Sequence, residues 1–267
     1  MQILRHKTER YRDNGLFSAE YNLAVEELLE IYIDGSPYAV TMRLPGDDIN
    51  LVAGFCFTEG IIRSRDDLLS ISHCDAGSGR SRILVSIDAK GGKSTENCGV
   101  RTEHLVKSSR GLCGRSKARD VYKGLSPVET SHSISLSNIL TLKEHFEARQ
   151  SIFHLTGSTH SASIFGFQEK HLAFSEDVGR HNALDKAIGA LLLEGKTDEA
   201  FLGIVSSRLS FEMVQKAGVL GIEMLAGLSA ATSMAVEMAD RLNITLIGFL
   251  RENSMSIYTH PERILHS

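Results

Sequence analysis

The sequence predicts an α/β protein, with a mixed sheet and helices on its faces in the C-terminal half, preceded by a smaller α+β unit. Two observations carry this expectation. After a strand pair at 160–166 and 170–174, strand and helix patterns alternate: apolar runs at 201–205, 224–228 and 244–250 are separated by stretches with helical spacing beginning near Asn182, Ser210 and Ser229 or Thr232. Such alternation implies parallel strands with right-handed crossovers. The N-terminal half lacks it and shows hairpin signals instead.

Taken in order, Tyr32 to Met42 reads as two strands around a Gly35-Ser36-Pro37 turn. Asp47 or Asp48 is placed to cap a helix carrying Ile49, Val52, Ala53 and Phe57, with Gly60 as its stop. Glycines at 77, 79, 91 and 92 flank a strand at 82–87. A polar loop rich in Ser, Gly, Arg and Lys spans 108–120, and a domain boundary falls just after it, giving units 1–130 and 131–267. Ser137 is the expected cap of a helix burying Leu140, Leu142 and Phe146. Asn182 is the expected N-cap of the helix on which Leu184, Ile188, Leu191 and Leu192 recur.

Composition excludes several classes. At 267 residues and 42% hydrophobic, the chain has the content of a globular protein. No stretch approaches ~18 consecutive apolar residues and the N-terminus lacks an apolar signal core, so a cytoplasmic protein that does not enter membranes is expected. A net charge of −4 argues against bulk attraction to nucleic acid. The four cysteines, Cys56, Cys74, Cys98 and Cys113, form no Cys-x-x-Cys pair, so neither a disulfide scaffold nor a metal site is expected.

If the strands are parallel, their carboxyl ends share one edge, where open α/β sheets bind ligands. The segments at those ends are polar: 176–182, 206–210, 229–232 and 251–254. Arg180 with His181, Ser206 with Arg208, then Ser229 and Arg251 recur beside expected helix starts, a set suited to phosphate or another anion. Helix capping accounts for serines but not for three arginines. Cys113 is the candidate nucleophile. It lies within a basic run, Arg101, Lys107, Arg110, Arg115, Lys117, Arg119 and Lys123, whose nearest cations favour a thiolate, and Gly111 and Gly114 leave its sulfur open. A thiolate there can attack a disulfide or carbonyl carbon, or accept sulfane sulfur as a persulfide.

Longer motifs point to a family. Glu176-Asp-Val-Gly-Arg-His-Asn-Ala-Leu-Asp-Lys-Ala-Ile-Gly189, Thr156-Gly-Ser-Thr-His-Ser-Ala162, Ser207-Arg-Leu-Ser-Phe-Glu-Met-Val-Gln-Lys216, Ser229-Ala-Ala-Thr-Ser-Met-Ala235 and Ile247-Gly-Phe-Leu-Arg251 resemble the FdhD family of formate dehydrogenase accessory sulfurtransferases. Leu51-Val-Ala-Gly-Phe55 and Thr58-Glu-Gly-Ile-Ile62 are similar as well. The resemblance implies a cytidine-deaminase-like C-terminal domain, with a mixed sheet and helices on both faces. It further implies a protein that takes sulfur from a cysteine desulfurase as a persulfide and delivers it to the molybdenum bis(guanine dinucleotide) cofactor, bound as cargo, for formate dehydrogenase. A homodimer is a family-level expectation. By position, Phe249, Leu250, Arg251, Glu252, Asn253 and Ser254 correspond to a cofactor-contacting segment, and Cys113 to the reactive cysteine. The family's loop reads Cys-Gly-x-Cys-Gly; here it is Arg110-Gly-Leu-Cys-Gly114, with arginine in place of the first thiol.

Two rival readings come from other classes. A cofactor-binding chaperone without sulfur chemistry would account for the lost cysteine. A zinc hydrolase acting on a nucleobase needs His-x-Glu and Pro-Cys-x-x-Cys, whereas this chain has His160-Ser-Ala162 and no such cysteine pair.

Overall fold

The computed structural model describes residues 1–13, 15–75, 81–88, 125–129 and 132–265. Cys113 and the basic run around it lie outside these, as do the glycines at 77, 79, 91 and 92. The chain opens with an antiparallel ribbon, β1 (Ile3–Arg12) and β2 (Gly15–Ala24). β3 (Glu27–Ile33) and β4 (Ser36–Arg43) form the expected hairpin, turning through Asp34 and Gly35 at φ of 47° and 77°. α1 (Asp48–Thr58) follows, and then β5 (Leu68–Asp75) and β6 (Ser81–Ile87) complete a four-stranded sheet in the order β4-β3-β6-β5. Asp47 occupies the N-cap position of α1, although no side-chain cap bond forms; Asp48 instead pairs with the buried Arg43 at 2.9 Å.

The second half contains β7 (Ile134–Ser135), α2 (Leu136–Ala148), α3 (Ser151–Thr156), β8 (His160–Gly166), β9 (His171–Asp177) and α4 (Arg180–Glu194). It continues with β10 (Ala200–Val205), α5 (Phe211–Leu220), β11 (Met224–Gly227), α6 (Ser233–Arg241), β12 (Thr245–Gly248), β13 (Ser256–Ile257) and β14 (Ile264–Leu265). The main sheet is ordered β13-β12-β11-β10-β8-β9. β10, β11 and β12 are parallel as expected, and β8 and β13 run against them, so the sheet is mixed.

Two caps differ from expectation. Ser135 rather than Ser137 caps α2, accepting from the Asn138 N–H at 3.1 Å. α4 starts three residues early, with Gly179 at the N-cap, because the Asn182 side chain bonds Met42 O and Asp177 Oδ1 instead of the helix end.

Helices cover both faces of the main sheet. α4, α5, α6 and α1 share one core with Ala162, Ile164, Val205, Leu225 and Leu246. On the other face α2 packs Ile139, Leu142 and Phe146 against Phe165, Phe201, Ile204, Met224 and Ile247. α1 and α4 touch backbone to backbone. A Cβ on Gly54 would lie 1.9 Å from Asp185 O, and one on Gly189 would lie 1.9 Å from Asn50 O, so only glycines permit this approach. Among the described residues no helix is long and apolar enough to cross a membrane.

Candidate functional site

β8 is antiparallel to both β9 and β10, so β9, β10, β11 and β12 point the same way and their carboxyl ends form one edge. The segments leaving that edge are hydrogen-bonded in series. Ser206 N donates to Ser161 O, Leu209 N to Ala230 O, Thr232 N to Leu209 O and Phe249 N to Ser229 O, each at 3.0 Å. These bonds tie 206–210 and 229–232 to each other, to β8 and to Phe249, and β8 pairs Ser161 with Glu176, so the four polar segments lie along one edge, a strand-end rim.

Within the 176–186 block most charges are structural. Glu176 accepts from Ile152 N at 2.9 Å, Phe153 N at 2.8 Å and Thr159 Oγ1 at 2.9 Å, so it caps α3 and ties down the strand entry. Asp177 is fully buried and pairs with the equally buried Lys186 at 2.8 Å. The pair grips the link between β4 and α1 from both sides: Leu44 N donates to Asp177 Oδ2 at 3.1 Å, and Lys186 Nζ donates to Leu44 O at 2.9 Å.

Arg180 and His181, in the first turn of α4, are the members of the block left for a ligand. Gly179 gives that helix no side-chain cap. Among the described residues, Arg180 Nε and His181 Nε2 are buried without a hydrogen-bond partner, as are Ser161 Oγ and Ser210 Oγ. Ser210 occupies the N-cap of α5 yet bonds none of its N–H groups, so capping does not account for it. His160 joins this corner, its Nδ1 lying 3.3 Å from Ser206 Oγ, which also accepts from Ser161 N at 3.0 Å.

Burial and then the Lys216 and Arg180 cations push the His181 imidazole pKa down to about 3, and burial followed by Arg180 lowers that of His160. Both imidazoles are therefore neutral at pH 7, set beside a guanidinium with no ion-pair partner among the described residues. Donors and a cation around these neutral rings suit an anion carrying hydrogen-bonding groups. The sign of the pH dependence follows. Below about 6.5 an unfolded chain protonates His181 while the folded one resists until about 3, so stability is lost as the pH drops through that window. From His181 alone the expected slope is about 1.4 kcal/mol per pH unit. Urea midpoints between pH 7 and 4 should show it, and His181→Phe should flatten the curve; an equal slope in that variant would rule out the neutral ring.

Toward the other end of the rim, Arg208 and Arg251 are exposed and without ion-pair partners among the described residues. Ser229 accepts Phe249 N through its carbonyl and lies three residues before Thr232, whose Oγ1 caps α6 at 3.4 Å. Phe249 is 44% exposed at a left-handed φ of 49°, a strained backbone for a bulky residue. Leu250 points the opposite way into the core beneath α2 and anchors the segment. Arg251, Glu252, Asn253 and Ser254 are exposed, in a turn closed by Arg251 N to Ser254 O at 2.8 Å. No hydrogen bond or ion pair among the described residues joins Arg208 to Arg180 or Arg251.

Residues 24–265 match the FdhD/NarQ family over their whole span. The chain belongs to that family. The sulfur carrier protein FdhD of Mycobacterium tuberculosis is 38% identical over 255 residues, covering 91% of each chain. That of Sulfolobus acidocaldarius is 36% identical over 266 residues, covering 99% of each. A crystal structure of a candidate formate dehydrogenase accessory protein from Desulfotalea psychrophila shares the fold, with a TM-score of 0.80 at 22% identity, over 99% of this chain and 100% of that one.

Three of the FdhD-like motif blocks meet at a point that sequence reasoning did not foresee. Lys216, ending one block, donates to Thr58 Oγ1 at 2.8 Å and to both Asp185 oxygens at 2.9 Å, and lies 3.7 Å from Glu59 Oε1. Burial alone would lower the Lys216 pKa, but Asp185 and Glu59 outweigh it and hold the ammonium charged. Burial raises the Asp185 carboxyl pKa and Lys216 pulls it back; the paired short contacts keep both ionised. This ion pair supplies the cation that adds to burial in holding His181 neutral. Cys56, buried beside Asp185, has its thiol pushed up to about 12 and is inert as a nucleophile. The signal for the cluster was present: Asp185 and Lys216 are charges on the apolar faces of two helices. Among the described residues no three His, Cys, Asp or Glu side chains group as metal ligands.

Proposed function

We propose that this FdhD-family protein is a cytoplasmic sulfur carrier that accepts sulfur on Cys113 from a cysteine desulfurase and delivers it to the molybdenum bis(guanine dinucleotide) cofactor for formate dehydrogenase. Its relatives are named sulfur carriers, and the observation that carries the cargo half is the strand-end rim. There, among the described residues, Arg180, Arg208 and Arg251 lack ion-pair partners and buried polar atoms of Ser161, His181 and Ser210 lack hydrogen bonds. A bis(guanine dinucleotide) carries several phosphates and two bases, and needs cations, N–H groups and an aromatic face. Phe249, held exposed on a strained backbone, supplies the aromatic face beside Arg251. The mixed sheet with helices on both faces supports a cytidine-deaminase-like description of 131–267, joined to the 1–130 unit through α1.

The sulfur step is a thiol exchange. The Cys113 thiolate attacks the terminal sulfur of the desulfurase persulfide, the donor S–S bond breaks, and the donor leaves as its thiolate with Cys113 holding the persulfide. One thiol suffices for this, so Arg110 in place of a cysteine is compatible with it. That same replacement favours one second reading, a cofactor chaperone without sulfur transfer, under which Cys113→Ser would leave formate dehydrogenase maturation intact.

GDP, which reproduces the guanosine diphosphate end of each dinucleotide in the cargo, tests the rim. Arg208→Ala and Arg251→Ala should each weaken its binding severalfold in calorimetry, on the order of 1–2 kcal/mol for a lost charge-assisted contact. Unchanged affinity in both removes the rim from the site.

A further inference from the structure

The strand-end rim has two chemically different ends. At one, Arg208 and Arg251 are exposed and make no ion pair among the described residues. At the other, Arg180, His181 and Ser210 are only partly exposed, and Arg180 Nε, His181 Nε2 and Ser210 Oγ are covered without a hydrogen-bond partner among the described residues. Lys216 adds no free charge there, because Asp185 and Glu59 hold it. His160 stands alongside, its Nδ1 3.3 Å from Ser206 Oγ, and both imidazoles are neutral. The covered corner therefore offers one unpaired guanidinium and several uncharged groups that both donate and accept.

A diphosphate carries more charge than one guanidinium balances, and the exposed Arg208 and Arg251 are the side chains available to take it. The covered corner suits a neutral ring whose edge carries donors and acceptors together. A serine hydroxyl and a neutral imidazole each do both, while a guanidinium only donates, and its paired N–H groups match a keto oxygen beside a ring nitrogen. An amino group in place of that keto oxygen sets donor against donor. We propose that Arg180, His181 and Ser210 are specificity-determining: they read the edge of a 2-amino-4-oxopyrimidine ring, the unit common to the guanine and the pterin of the cargo, and reject adenine. This rests on the cargo reading above. Phe249 offers a face for stacking, which every base satisfies, whereas the corner supplies the hydrogen bonds that tell one ring from another. A ring that leaves these covered groups unpaired binds at a cost, so discrimination is large.

Calorimetry on the full chain with GDP, ADP and free pterin tests it, comparing wild type with Arg180→Ala, Ser210→Ala and Arg208→Ala. If the corner takes guanine, the wild type should bind GDP at least about tenfold tighter than ADP. Arg180→Ala and Ser210→Ala should then weaken GDP severalfold and leave ADP unchanged, while Arg208→Ala weakens both alike. If it takes the pterin, the first two variants should weaken pterin and leave GDP and ADP as they were. Ser210 Oγ makes no hydrogen bond among the described residues, so Ser210→Ala leaves the fold intact. Equal loss of GDP and ADP in Arg180→Ala would make that side chain a phosphate contact and overturn the proposal, as would three ligands indifferent to both corner variants. A wild type that binds none of the three sinks the cargo reading and the proposal with it, an outcome distinct from the other two.

Discussion

Lys186→Met is expected to destabilise the protein by about 3–5 kcal/mol, because it strands the fully buried Asp177 carboxylate without its counter-charge. At this size that corresponds to a fall in Tm on the order of 10 °C. The cost has a second component, since the ammonium also bonds Leu44 O and so holds the link between β4 and α1 against the main sheet. Asp177→Asn combined with Lys186→Met should recover part of the loss, as replacing both partners of a buried pair is milder than orphaning one. Thermal denaturation of the single and double variants checks both points; a double variant worse than the sum of its parts would mean that the hydrogen bonds Asp177 accepts from Leu44 N and from Gly179 N, the latter at 2.9 Å, dominate over charge.

Gly189→Ala is the second large effect. Its Cβ would fall 1.9 Å from Asn50 O and 2.7 Å from Gly54 N, backbone atoms that move only if α1 and α4 separate. The expected cost is at or above the top of the ~1–3 kcal/mol range for overpacking. It should reach the site, because α1 ends at Thr58, which Lys216 holds beside Asp185, and the Lys216 cation acts on His181. GDP affinity should drop along with stability, measured by calorimetry well below the variant's Tm. Gly195→Ala, at the left-handed C-cap of α4 with nothing within 4 Å of its Cβ, should lower stability without touching affinity. Equal effects on binding in the two variants would sever the link between the helix crossing and the site.

The C-terminal architecture was legible because its strands and helices each bury a face, and burial writes periodicity into sequence. The strand-end rim was legible for the same reason: Arg180, Arg208 and Arg251 are polar interruptions at the ends of apolar runs. The β1–β2 ribbon was not, since both of its faces are open and Arg5, Lys7 and Glu9 leave no apolar alternation. Asn182 looked like a cap because its residue type suits one; a tertiary contact to Met42 won instead. His160 and Lys216 were within recognised motifs without assigned roles, because their partners Ser206, Asp185 and Thr58 lie far along the chain.

Carriage of sulfur by Cys113 is the core of the proposed function. Intact-protein mass spectrometry after incubation with a cysteine desulfurase and cysteine tests it most directly, comparing wild type with Cys113→Ala. The wild type should gain a sulfur atom that is lost on reduction and that never appears on the variant. A folded, GDP-binding wild type that takes up no sulfur, or a variant that loads as well as wild type, would contradict it.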